Sequence, residues 1–264
     1  MTSIDWTLIL GTAAEVVDQY DTRVTLRQLF YRLVAAELLP NTQSAYKRLS
    51  ARTAKARREG SFPALEDRTR SIHRTLAFET PAEALDVISC NYRRDRTEGQ
   101  EWNVYLGVEK HGLVNQLTHW FDLYGLPMLA LGGYSSQTLV DEVRHDVHAD
   151  GRPAVLLYAG DFDPSGIDID RDFVERTDCF DQAIRVALTA DQVDRYNLPP
   201  QMGKATDSRS GAFIREHGRL VQVELDALPP DTLQQVYATA LDPFWDTSTY
   251  NETLQIEEEE RQAL

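Results

Sequence analysis

Cysteine is scarce. The 264 residues hold two, Cys90 and Cys179, which lie far apart and make neither a metal-type nor a redox-type pair. A disulfide scaffold is thereby excluded, each cysteine reads as a small buried apolar residue, and a reducing cytoplasm is the expected setting. No apolar run reaches about eighteen residues, so no membrane span is expected. Met1-Thr2-Ser3-Ile4-Asp5-Trp6 lacks a basic stretch followed by an apolar block and does not read as a signal peptide. No Gly-x-x-x-x-Gly-Lys-Ser/Thr motif occurs, so no ATP site is expected in this chain. Basic residues are outnumbered: 27 Lys+Arg face 42 Asp+Glu, for a formal net charge of −15, which taken alone argues against nucleic acid as a partner.

The charge is unevenly spread. Residues 1–100 carry 15 Lys+Arg against 13 Asp+Glu, and residues 101–264 carry 12 against 29. Within 44–74, nine cations (Lys47, Arg48, Arg52, Lys55, Arg57, Arg58, Arg68, Arg70, Arg74) meet three acids (Glu59, Glu66, Asp67). A local basic surface matters more for phosphate contact than the global sum does, although a solvated helix face with i,i+4 pairs has the same composition.

Apolar spacing predicts helices over 4–19, 25–38 and 44–59 and a short extended piece over 65–69. Three helices and then an extended element fit a winged-helix DNA-binding domain, and a plain three-helix bundle as well. A further amphipathic helix is expected over 81–92, and the polar stretch 93–100 reads as a boundary. Strands at 104–108, 127–131, 154–159 and 183–188 then alternate with helices at 113–124, 135–148 and 167–177. This pattern implies an α/β fold with a mainly parallel sheet covered on both faces. Residues 221–228 read as a strand leading into a helix that starts near Pro229-Pro230, and Glu257–Glu260 closes a C-terminal helix.

Val108-Glu109-Lys110-His111-Gly112 follows the first of these strands, Gly132-Gly133-Tyr134 the second, and Gly160-Asp161-Phe162-Asp163-Pro164-Ser165-Gly166 the third. Glu109, Asp161 and Asp163 thus fall at the carboxyl ends of strands, where ligands bind in such sheets. Three converging carboxylates suit a hard divalent cation, above all Mg²⁺ with Mn²⁺ as a substitute, and such an ion works on phosphates. Each also has a plainer reading, with Glu109 and Asp161 as helix N-caps and Asp163 as a turn residue. Asp168 and Asp170 are expected to face solvent, and Gly132-Gly133 to allow close backbone approach.

These segments, in this order, resemble a Toprim domain. They are most similar to the A subunit of topoisomerase VI and its relatives that start meiotic recombination, which carry Val-Glu-Lys, Gly-Tyr and Asp-x-Asp-Pro-x-Gly. The resemblance covers most of residues 23–170. It implies a winged-helix domain over 1–97 and a Toprim domain over 98–264 with a C-terminal helical extension. It makes Glu109, Asp161 and Asp163 the Mg²⁺ ligands. It also places Arg27-Gln28-Leu29-Phe30-Tyr31 at the family's catalytic segment, so that Tyr31 takes the nucleophile's place and Arg27 stands one turn before it. Spacing alone lets Tyr31 simply pack beside Phe30. A homodimer that makes a double-strand break is implied, the tyrosine of one copy facing the metal site of the other. The expected DNA contacts are Lys47, Arg48, Arg52, Lys55, Arg57, Arg58 and Lys110, with Lys204 and Arg209 in a segment that resembles stand-alone bacterial and phage proteins with this Toprim domain. A nucleoid-associated or phage-encoded protein is the corresponding expectation.

The family's A subunit is longer, and no counterpart of the extension that docks its ATPase partner is expected. ATP-driven strand passage by this chain alone is therefore not expected. Two other functions stay open: a Toprim nuclease that uses water in place of tyrosine, and a non-catalytic DNA-binding module that needs a partner protein.

Overall fold

The computed structural model describes residues 5–66, 75–200, 213–215 and 221–263. Helical periodicity near the start of the chain becomes α1 (Trp6–Asp18), α2 (Leu26–Ala35) and α3 (Gln43–Arg58). Each opens on a side-chain cap. Asp5 accepts from the N–H groups of Thr7 and Leu8, Thr25 and Gln28 form a reciprocal capping box, and Thr42 accepts from the Ala45 N–H. Their apolar stripes share one cluster, with Ile9 and Ala13 of α1, Leu29 and Leu33 of α2, and Leu49 of α3 all buried. The extended piece expected over 65–69 is represented by a single bridge between Thr25 and Glu66, and its remainder lies outside the described residues. α4 (Pro81–Asn91) follows and buries no residue.

The second part is α/β. In order come β1 (Asn103–Val108), α5 (His111–Phe121), β2 (Met128–Ala130), α6 (Gln137–Asp150), β3 (Ala154–Ala159), α7 (Pro164–Thr177), β4 (Gln182–Ala187), α8 (Ala190–Arg195), α9 (Pro230–Leu241) and α10 (Thr247–Ala263). The four strands form one all-parallel sheet in the order β2-β1-β3-β4. Every residue of β1 and β3 is buried, as befits parallel strands covered on both faces. Val104, Leu106, Val155 and Leu157 face the cluster that also holds α1–α3, α5 and α9. Tyr105, Leu156 and Tyr158 face Val140 and Val143 of α6 and Phe173 of α7. From β1 the chain moves outward to β2, then crosses back to β3 on the other side. A crevice therefore opens at the carboxyl ends of β1 and β3, the switch point of the sheet.

Residues 221–228 depart from expectation. They form one antiparallel bridge, Val223 to Phe162, and then a short 3-10 turn at Leu225–Ala227. The Leu225 N–H donates to the Asp161 carboxylate at 2.7 Å, so the backbone that would continue a ladder is held by a side chain. The polar stretch 93–100 is also tied down: Arg96, Thr97 and Gln100 are buried, and Arg96 pairs with Glu257 of α10. Among the described residues no helix is long and apolar enough to cross a membrane.

Candidate functional site

The ends of β1 and β3 meet through a carboxylate. The Glu109 N–H donates to the Ala159 carbonyl at 2.9 Å, and Glu109 Oε2 accepts the Asp161 N–H at 2.8 Å. Asp161, 6% exposed, accepts the Leu225 N–H at Oδ1, where the Lys110 ammonium also lies at 3.0 Å. Asp163, and neither Glu109 nor Asp161 as the plainer reading had it, is the N-cap of α7, where it accepts the Gly166 N–H at 2.6 Å. The turn between them is tight. A Cβ at Gly166 would stand 2.3 Å from the Asp161 carbonyl oxygen and 3.3 Å from Glu109 Oε2, so only glycine fits.

Burial and then the charge of Asp161 push the Glu109 carboxyl up to about 7. Burial raises Asp161 as well, against the pull of Lys110. Two desolvated carboxylates with insufficient positive charge between them are what a hard divalent cation relieves, and the oxygen-only donor set suits Mg²⁺. Among the described residues, no group of three His, Cys, Asp or Glu side chains is gathered to hold a metal ion. The third expected ligand, Asp163, is turned into its capping bond.

Lys110, expected at DNA phosphate, points its ammonium into an acidic box. Asp161 and Asp226 lie at 3.0 Å and Glu224 at 3.8 Å. Burial favours the neutral amine, but Asp226, Asp161 and Glu224 outweigh it and hold the group protonated. Glu224 also receives Arg27 of α2, whose Nη1 lies 2.5 Å from both carboxylate oxygens. Arg32, one turn further along α2, donates to the Ala227 carbonyl. The helix that carries Tyr31 is thus latched to the turn at 224–227 of its own chain. Tyr31 is 2% exposed, and its phenol is raised by burial first and by Glu224 second, with Arg27 and Lys110 opposing.

Sequence reasoning did not place Glu224 and Asp226 in the site. Alternation over 221–228 predicts a strand there, which hides both carboxylates. Arg185 of β4 carried no signal. It pairs with Asp170 at 3.0 Å, so Asp170 is not the solvent-facing residue expected but lies between α7 and β4. Asp168 accepts from the hydroxyl of the half-exposed Tyr134 at 2.5 Å. Gly132, at φ +59°, approaches a side chain closely: its Cβ would stand 2.8 Å from His111 Nε2.

The basic helix behaves as its spacing implies. Ala45, Leu49, Thr53 and Ala56 turn inward, which leaves Lys47, Arg48, Arg52, Lys55, Arg57 and Arg58 exposed. Arg48 and Arg52 stack over the Trp6 ring at 5.2 and 4.8 Å, which orders their guanidinium groups on the surface. Lys204 and Arg209 lie outside the described residues. No protein-family model matches the chain, and no curated protein matches it.

Proposed function

We propose that the chain is a Mg²⁺-dependent DNA-cleaving protein, a compact relative of the topoisomerase VI A subunit with a winged-helix domain over 1–97 and a Toprim domain over 98–264. The observation that carries this reading is the pair of half-buried Glu109 and buried Asp161 at the switch point of an all-parallel sheet. The six exposed cations of α3 on the same chain support duplex DNA as the substrate. Glu109 and Asp161 would hold the ion, and Asp163 would join them on leaving its cap. An Mg²⁺ ion held there would supply positive charge for the non-bridging phosphate oxygens and the leaving 3′ oxygen.

On this reading the Tyr31 oxygen attacks phosphorus. The Tyr–O–P bond forms, the P–O3′ bond breaks, the phenol proton is lost and the 3′ oxygen is protonated. Arg27 stands on the same helix face, four residues earlier, placed to stabilise the phenolate or the phosphate. The latch to Glu224 has to open before Tyr31 reaches DNA, of its own site or of a second copy. A homodimer would cut both strands.

The burial of Tyr31 favours a second reading on the same metal site, in which water attacks and no protein remains bound to the product. Supercoiled plasmid with Mg²⁺ or Mn²⁺ decides between them. The expected result is cleavage with protein covalently attached, abolished by Tyr31→Phe and by Glu109→Gln. Cleavage unchanged by Tyr31→Phe and free of adduct establishes the water route. DNA binding without cleavage in any condition leaves a binding module that needs a partner protein.

A further inference from the structure

We propose that Arg185 is a positioning residue for the metal site: its guanidinium sets the backbone of the 161–166 turn and thereby aims the Asp161 carboxylate. The inference rests on the reading of Glu109 and Asp161 as metal ligands. Arg185 stands on β4, one strand away from the acidic cluster, and reaches the turn from behind. Its Nη2 donates to the Asp161 carbonyl at 2.6 Å, and its Nη1 to the Gly166 carbonyl at 3.3 Å and to Asp170 Oδ1 at 3.0 Å. Its Nε donates to the Leu188 carbonyl at 3.0 Å, and its flat face lies over the Tyr158 ring at 5.7 Å.

One planar cation therefore fastens both ends of the turn, the start of the segment after β4, and α7. Asp161 is held twice, through its carbonyl by Arg185 and through Oδ1 by the Leu225 N–H. The first bond sets the backbone of the turn and the second holds one carboxylate oxygen, and together they orient the carboxylate. A Cβ at residue 166 would have no room against the Asp161 carbonyl, so the turn keeps this close approach only with glycine there. A lysine keeps the charge opposite Asp170 but is a single point donor on a flexible stem and cannot serve four acceptors at once. Partners that orient a ligand from outside the coordination shell typically contribute about 10–100-fold to metal affinity.

The test is Mn²⁺ titration calorimetry on the full chain, with thermal melting in the absence of metal as the control for folding. Arg185→Lys is expected to bind Mn²⁺ about 10–100-fold more weakly than the unmodified chain while melting as a folded protein. Asp170→Asn, which leaves the carbonyl bonds of Arg185 in place, is expected to change affinity by less than about threefold. Folded Arg185→Lys with unchanged affinity overturns the inference while the metal reading stands. An unmodified chain that binds no Mn²⁺ overturns the metal reading, and the inference with it. If Arg185→Lys does not fold, Arg185→Ala is titrated in methylguanidine. Affinity that rises with methylguanidine supports the positioning role. Affinity independent of it, or a chain that stays unfolded throughout, reduces Arg185 to a purely structural part.

Discussion

Glu109 concentrates the chemistry of the site in one side chain. Its carboxyl stands at about 7 against an ordinary 4.5, because burial and then Asp161 disfavour the charged form. The folded state therefore holds more protons than the unfolded state between those two values. With the proton count higher in the folded state, stability falls as pH rises through that window and is level above it. Asp161 and Asp170 are raised by burial too, so they act with the same sign. The penalty from Glu109 alone is on the order of 3 kcal/mol at pH 8. Urea unfolding of the metal-free chain should show that loss between pH 4.5 and 7, and Mg²⁺ should recover it at pH 8. Glu109→Gln keeps an oxygen acceptor for the Asp161 N–H while removing the charge. It should flatten most of the pH dependence, raise metal-free stability at pH 8 and abolish the response to Mg²⁺. A Glu109→Gln variant with the same pH dependence as the unmodified chain would show that the two carboxylates are not strained by each other's charge.

Helix α3 makes the prediction that belongs to an element. Its inward residues Ala45, Leu49, Thr53 and Ala56 are separate from its cations, so charge can be removed without touching the core. Lys55→Ala with Arg58→Ala should leave melting unchanged within about 0.5 kcal/mol. The slope of log affinity against log salt for duplex DNA should become shallower by about 2, since each phosphate contact contributes about 0.9. Anisotropy of a labelled duplex at several salt concentrations measures it, and an unaltered slope would remove α3 from the interface. That α3 was legible in sequence follows from local causes: i,i+4 spacing and a Thr42 cap act within one turn. The same holds for β3, where a run of six apolar residues, short and bounded by Pro153 and Gly160, suits a doubly covered strand. The turn at 224–227 was not legible because its conformation is set from far away. Asp161 takes the Leu225 N–H, Arg27 takes Glu224 and Lys110 takes Asp226, and no spacing rule carries pairings across 64 to 197 residues. Asp170 was misjudged because its partner Arg185 sits on another element, β4, fifteen residues on and beyond the reach of helical spacing.

At the scale of the molecule, the two parts share a core, and a charge cluster ties the segment ahead of β1 to α10. Trp6, Leu29 and Leu49 of the helical part belong to one apolar cluster with Leu106 and Leu157 of the sheet. At the C-terminus, Glu257 is 1% exposed and accepts from Arg96 Nη2 at 2.7 Å, Arg96 Nε at 3.0 Å, the Arg94 N–H at 3.1 Å and Arg261 Nη2 at 2.6 Å. This carboxylate fixes the chain just ahead of β1 to α10, and β1 in turn delivers Glu109. Glu257→Ala leaves Arg96, itself 8% exposed, without its anion in a buried setting, a change that typically costs about 3–5 kcal/mol. Because the core is continuous, the loss should lower the midpoint of a single urea transition without creating a second one. Trp6 reports on the helical part and Trp245 on the segment before α10, so two single-tryptophan variants can follow both regions. Coincident transitions at a lower midpoint are expected. If the Trp245 region unfolds first while Trp6 stays native, the helical part folds independently of the sheet. The latch between Arg27 and Glu224 would then be a joint between separable domains and not part of one cooperative unit.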